Sequence, residues 1–187
     1  MATTDSRDPR VVRTHNDVPT VALRLLIDEG WEAVTPGRVA EEAGYSRATV
    51  YNHWPHRIDL LRDAFALYGK MPHFETSGDA ESDLRGEIAS FCRAMVEHRL
   101  DRALATLAER AQTNPELASI RDAFIADGER PMRQTVLALA EGPEAEAAVQ
   151  MLCGMVTHSV LMHGQPPTSV VLNTAVDILV RGLTHRD

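Results

Sequence analysis

Cysteine is scarce in this chain: Cys92 and Cys153 are the only two among 187 residues. They stand far apart in apolar surroundings and form no metal-type pair, so reduced, buried thiols in a reducing cytoplasm are expected. No signal-peptide core follows Met1, and no apolar run approaches the length of a membrane span. HExxH, GxSxG and a glycine-rich phosphate loop are all missing, which removes the commonest catalytic signatures. Internal repeats and low-complexity segments are absent too. Positive charge is also short. A net charge of −8 is unusual for a protein that binds nucleic acid through bulk attraction.

What is present points to a folded helical chain. Hydrophobic residues make up 44% of the sequence, enough for a core, and the length suits one compact domain or a small one joined to a larger. Charge is divided unevenly. Residues 1–71 hold nine basic and ten acidic residues, whereas the remainder holds 10 basic and 17 acidic. The acidic part disfavours DNA along its own surface. Any phosphate attraction is therefore expected from local placement of Arg38, Arg47 and Arg57.

The stretch from Thr35 to Arg57 reads as two short helices joined by a tight turn. Thr35 suits an N-cap with Pro36 at the first helical position, and Gly44 supplies a left-handed C-terminal residue. Ser46 caps a second helix that runs to about Trp54, and Pro55 ends it. At 100° per residue, Val50 and Trp54 share an inward face. Ala48 and Asn52 lie opposite, with Arg47 and Tyr51 along one edge and Thr49 and His53 along the other. A helix of this width with a polar outer face fits the DNA major groove, and the pair matches a helix-turn-helix pattern, which a corner within an all-α core also mimics.

The residues AEEAGYSRATVYNHWPHRIDLL, preceded by ALRLLIDEGWEAVT, closely resemble the signature of the tetracycline-repressor (TetR) family of one-component regulators. The resemblance covers about residues 20 to 65. It implies an all-α protein of about nine helices: a flexible tail (1–15), a three-helix helix-turn-helix domain (16–56), a connecting helix (57–71) and an effector-binding and dimerisation domain (72–187). It further implies that Thr35 and Arg57 bind phosphate, that Tyr51 and His53 flank the groove, and that Arg47, Ala48, Thr49 and Asn52 meet base edges. The chemistry agrees: Arg suits guanine, Asn suits adenine, and the methyls of Ala and Thr suit thymine. The implied protein is a cytoplasmic homodimeric repressor of palindromic operator DNA, released by a small molecule. The alternative is a helical dimer that binds small molecules or a partner protein and has lost DNA binding.

Elsewhere, Arg7, Arg10 and Arg13 sit in a polar segment that reads as a frayed tail or a DNA-contacting arm. The first helix is expected to start near Asp17, with Pro19 in its first turn, and residues 72–82 read as a linker. Five helices follow, at 82–98, 100–113, 115–140, 143–163 and 167–184, with a kink or break near 128–131. The last two are apolar on more than one face, which predicts burial against the core on one side and a second subunit on the other. Resemblance places an effector among the central helices. Phe91, Met95, Phe124, Met151, Met155 and His158 are the candidate lining residues, and their character suits an apolar or aromatic ligand. His98, His158 and His163 lack acidic partners at ligand or triad spacing. They read as polar core residues, so no enzyme activity, metal or cofactor is expected.

Overall fold

The computed structural model describes residues 9–69 and 73–184. These form nine α-helices and no strand: α1 (Pro9–Glu29), α2 (Pro36–Ala43), α3 (Arg47–His53), α4 (Arg57–Tyr68), α5 (Ala80–Glu97), α6 (Leu100–Arg110), α7 (Pro115–Val136), α8 (Gly142–His163) and α9 (Ser169–Thr184). A short 3-10 turn, Trp31–Ala33, joins α1 to α2. The chain divides into two compact units. The first comprises Met1–Met71 with Thr106–Phe124, and the second Pro72–Ala105 with Ile125–Asp187. Residues 106–124, expected within the effector domain, thus group with the N-terminal helices.

In the first unit α1 packs on α2 and α4, and α2 on α3. Val18, Ala22, Leu25, Val39, Val50, Trp54, Leu60, Leu61 and Phe65 are buried there. The helix α1 begins earlier than its sequence suggests: residues 9–15, expected in the tail, are helical and Pro19 lies inside the helix. Proline removes one backbone donor and crowds the preceding turn. Burial of Thr14 and Val18 offsets that cost, and the Thr20 hydroxyl donates to the Asn16 carbonyl at 2.7 Å. Arg7 lies outside the described residues. Helix α4 ends at Tyr68, and the expected end at Met71 also lies outside them. Phe124 of α7 packs its ring on Phe65 at 5.2 Å and stacks on Tyr68 at 5.9 Å.

In the second unit α5 packs against α8 and α9, which touch each other. Its core includes Leu84, Ile88, Met95, Met132, Val136, Val149, Leu152, Val156 and Val176. Of the expected linker, residues 73–79 form a strap pinned to α5 by two buried carboxylates, Asp83 and Glu87, whereas residues 80–82 already belong to α5. Asp83 accepts from the Ser77 amide and hydroxyl at 2.7 Å and from the Gly78 amide at 3.1 Å. Those bonds, led by the Ser77 amide, hold its pKa below the ordinary aspartate value. Glu87 accepts from the Phe74 amide at 3.0 Å and meets His73 Nδ1 at 2.6 Å. The Phe74 ring lies over Gly86, where any Cβ would intrude on it.

Helix α7 runs unbroken through Gly128 and Pro131, so the expected break is absent. The Thr135 hydroxyl donates to the Pro131 carbonyl at 3.1 Å, and Arg130 pairs with Asp127 one turn before. Helix α8 corrects the expectation about membrane-length runs. Its 22 residues are long and apolar enough, by length and composition, to span a bilayer, although only a third of that stretch is buried within the chain. No Asp, Glu, Lys or Arg occurs from residue 147 to 176.

Both cysteines are free and partly buried. Burial pushes the Cys92 thiol up and the Cys153 thiol up to about 12. Cys153 Sγ lies 3.6 Å from Met132 Sδ.

Candidate nucleic-acid interface

The caps that frame the helix-turn-helix are local and well formed. Thr35 Oγ1 accepts from the Arg38 amide at 3.2 Å and Ser46 Oγ from the Thr49 amide at 3.0 Å. Gly44 ends α2 at φ 74, a left-handed conformation that costs a residue with a Cβ more than glycine. Val50 and Trp54 are buried at 0% and 1% exposure, which fixes the rotation of α3. Trp54 Nε1 donates to Asp63 Oδ2 at 2.8 Å. Tyr45 Oη donates to Asp17 Oδ2 at 2.8 Å, tying the turn to α1.

With α3 held this way, Arg47, Ala48, Tyr51, Asn52 and His53 are exposed and Thr49 is half-buried. Thr49 Oγ1 lies 2.8 Å from Ser46 Oγ, so part of its hydrogen-bonding capacity is used within the cap. A Cβ on Gly37 would sit 3.8 Å from Tyr51 Oη and 3.9 Å from Arg47 Nε. These two side chains therefore reach back over the first turn of α2. The His53 ring lies 5.0 Å from that of His15, and His15 packs 4.9 Å from Trp54. Sequence reasoning missed His15 because its segment was assigned to the tail.

The arginines are distributed differently from expectation. Arg38 donates to both oxygens of Glu29, at 2.8 and 2.7 Å. Arg24 pairs with Glu42 at 2.8 Å, and Arg62 with Asp59 and Glu116. Arg57 is held within the unit: its Nε donates to the Val34 carbonyl at 2.6 Å, and its guanidinium covers the Trp31 ring at 4.8 Å. A quarter of its side chain stays exposed. Thr35 is half-buried, and its hydroxyl proton remains available while the oxygen serves as a cap.

The six candidate effector residues fall in both units and differ widely in exposure. Met95 is fully buried in the second unit's core, whereas Phe124 belongs to the first unit. Phe91 and Met155 are half-buried, and Met151 and His158 are exposed on the outer side of α8. His98, His158 and His163 are likewise exposed rather than core. The His158 and His163 rings meet at 5.1 Å despite their five-residue spacing. Among the described residues, no group of three or more His, Cys, Asp or Glu is placed to hold a metal ion. Exposed on α8 and α9 are Met151, Leu161, Met162, Val170, Val171 and Ile178.

Comparison with known proteins gives this geometry its context. Residues 20–64 match the family model described as bacterial regulatory proteins, tetR family. Residues 74–179 match the tetracyclin repressor-like C-terminal domain. The HTH-type transcriptional regulator Rv1556 of Mycobacterium tuberculosis is 28% identical over 175 residues, covering 88% of this chain and 85% of that protein. YdeS of Bacillus subtilis, also an HTH-type regulator, is 37% identical over 57 residues, 30% of this chain and 29% of that one. Among solved structures, the TetR family regulator SCO0332 superposes with a TM-score of 0.68 at 24% identity, covering 92% of this chain and all of that one. The Bacillus subtilis regulator FadR, solved with stearoyl-CoA, gives 0.66 at 17% identity over 89% and 97% of the two chains. The matched models span both parts of the chain, one of them more than half of it, and the outward face of α3 is the one a helix-turn-helix presents to a duplex: the chain belongs to the TetR family of DNA-binding transcription regulators, which are not enzymes.

Proposed function

We infer that the protein is a cytoplasmic, ligand-responsive repressor that binds palindromic operator DNA as a homodimer. The carrying observation is the rotation of α3, with Val50 and Trp54 buried while Arg47, Ala48 and Asn52 face out. Arg47 and Asn52 read base edges, the methyls of Ala48 and Thr49 contact thymine, and Tyr51 and His53 flank the groove. Thr35 donates its hydroxyl to phosphate, and Arg57 offers the edge of its guanidinium that Val34 leaves free. The apolar outer faces of α8 and α9 support dimerisation, since six large apolar side chains there are exposed and contiguous exposed apolar surface marks an interaction site. Two-fold symmetry then requires half-sites about 34–36 Å apart. The effector is an apolar or aromatic small molecule bound in the second unit. It acts by favouring a dimer geometry that fits the operator less well, and DNA must weaken its binding by the same factor.

A second reading, a dimer that has lost DNA binding, draws on the pairing of Arg24, Arg38 and Arg62 with carboxylates. A gel-shift against the DNA upstream of the protein's own gene separates the two. Specific retardation is expected for the wild type, with Arg47→Ala relaxing sequence preference by about 1–3 kcal/mol at one base pair. Absence of retardation with any duplex would favour the second reading.

A further inference from the structure

Three helix N-termini converge on one groove of the first unit. Thr35 and Pro36 open α2, His56 and Arg57 open α4, and Asn114 caps α7 through bonds from the Glu116 and Leu117 amides at 3.0 and 3.2 Å. These residues, with Trp31 and Ile58, line an open groove of about 380 Å³. Helix N-termini carry partial positive charge and so favour anions, even though several of the N-terminal amides here are already met by Thr35, Asn114 and Asp59. Cationic side chains supply a second, independent attraction. Arg57 lies on one side of this groove over the Trp31 ring, and Arg110 of α6 reaches the same ring at 5.4 Å.

Arg110 differs from its neighbours. Arg24, Arg38 and Arg62 are each paired with a carboxylate. Among the described residues Arg110 meets the indole instead, and its buried Nε has no hydrogen-bond partner. A guanidinium held over an aromatic face keeps its full charge. The nearest acidic group to Arg57 is Glu32, 3.5 Å from Nη2, and its side chain is 80% exposed, so it is free to swing aside. Residues 20–64 match the family's DNA-reading domain, and Arg110 lies outside them.

We propose that Arg110 extends the DNA-phosphate surface beyond the helix-turn-helix, forming with Arg57 a two-guanidinium site centred on Trp31 that holds one backbone phosphate. This rests on the DNA-binding reading above. It adds phosphate attraction in a chain in which Arg24, Arg38 and Arg62 are paired with carboxylates within the fold. Trp31 acts as a positioning residue, because one ring fixes both cations.

The test needs no operator, because phosphate contacts are independent of sequence. The full-length wild type, Arg110→Gln and Arg110→Lys are titrated with a non-palindromic duplex of about 30 base pairs, roughly three helical turns, over a range of KCl concentrations. Arg110→Gln should lower the slope of log affinity against log salt by about 0.9, one phosphate's share. Between about 50 and 200 mM salt its affinity then falls about 3.5-fold less than that of the wild type. Arg110→Lys should retain the wild-type slope, and Glu32→Gln should tighten binding. A wild-type slope in Arg110→Gln overturns the proposal, whatever happens to its affinity or thermal midpoint. If Arg110→Gln does not fold, loss of slope in the folded Arg110→Lys protein, or weaker binding by Glu32→Gln, overturns it instead. A wild type with no salt-dependent affinity for any duplex brings down the DNA-binding reading itself.

Discussion

Replacing Gly86 by alanine sets two effects of comparable size against each other. In a helix interior, alanine is favoured over glycine by about 1 kcal/mol. In this chain the new Cβ would stand 2.5 Å from Phe74 Cε2 and closer still to Cγ and Cδ2. Carbon atoms rest at about 3.5–4.0 Å, so the ring must retreat by roughly 1 Å. Its backbone is not free to follow, because the Phe74 amide is bonded to Glu87 at 3.0 Å. Overpacking of this kind costs about 1–3 kcal/mol. Gly86→Ala should therefore lower stability by as much as about 2 kcal/mol, and the helix gain should fully offset only the mildest clash. In a Phe74→Ala background the obstruction is gone, and the same substitution should stabilise by about 1 kcal/mol. Urea unfolding of the four proteins at one fixed concentration gives the coupling directly, expected at about 1–3 kcal/mol. Stabilisation of about 1 kcal/mol in both backgrounds would refute the packing of strap on helix.

Further outcomes follow from the same structure. Met162→Glu with Ile178→Glu, two exposed apolar positions, should convert the proposed dimer to a monomer in sedimentation equilibrium and abolish operator retardation, while far-ultraviolet dichroism stays unchanged. The Cys153 thiol, pushed up to about 12 by burial, should be about one part in ten thousand thiolate at pH 8. Its alkylation, followed by mass spectrometry, should become fast only in denaturant. Asp83 has a lowered pKa in the folded chain, so its contribution is complete above the unfolded value near 3.9 and disappears as pH falls through the folded one. Asp83→Asn should thus destabilise at pH 7, with the difference from wild type shrinking below about pH 4.

The features legible in the sequence are those set by neighbours along the chain. Thr35, Ser46 and Gly44 act within one helical turn, and Val50 and Trp54 are separated by a single turn, so caps and rotation follow from spacing alone. The start of α1 was hidden because Pro19 suggests a first turn, whereas burial of Val18 and Thr14 carries the helix through it. Arg57 was legible as a cation but not as a partner of Val34 and Trp31, groups more than twenty residues away. Likewise nothing local marks Arg110 as a neighbour of Trp31. The apolar residues of α8 posed a different difficulty. With apolar side chains on both faces, periodicity does not decide which are core, and Met151 and His158 proved to be outside.

The carboxylates that neutralise Arg24, Arg38 and Arg62 also govern how such a regulator searches a genome. Few loose cations mean a weak grip on random sequence, hence short dwell at each wrong position and fast exchange between distant segments. Recognition is then left to the fit of a single helix in the groove. A promoter with one poor half-site would shed the protein quickly instead of retaining it by charge.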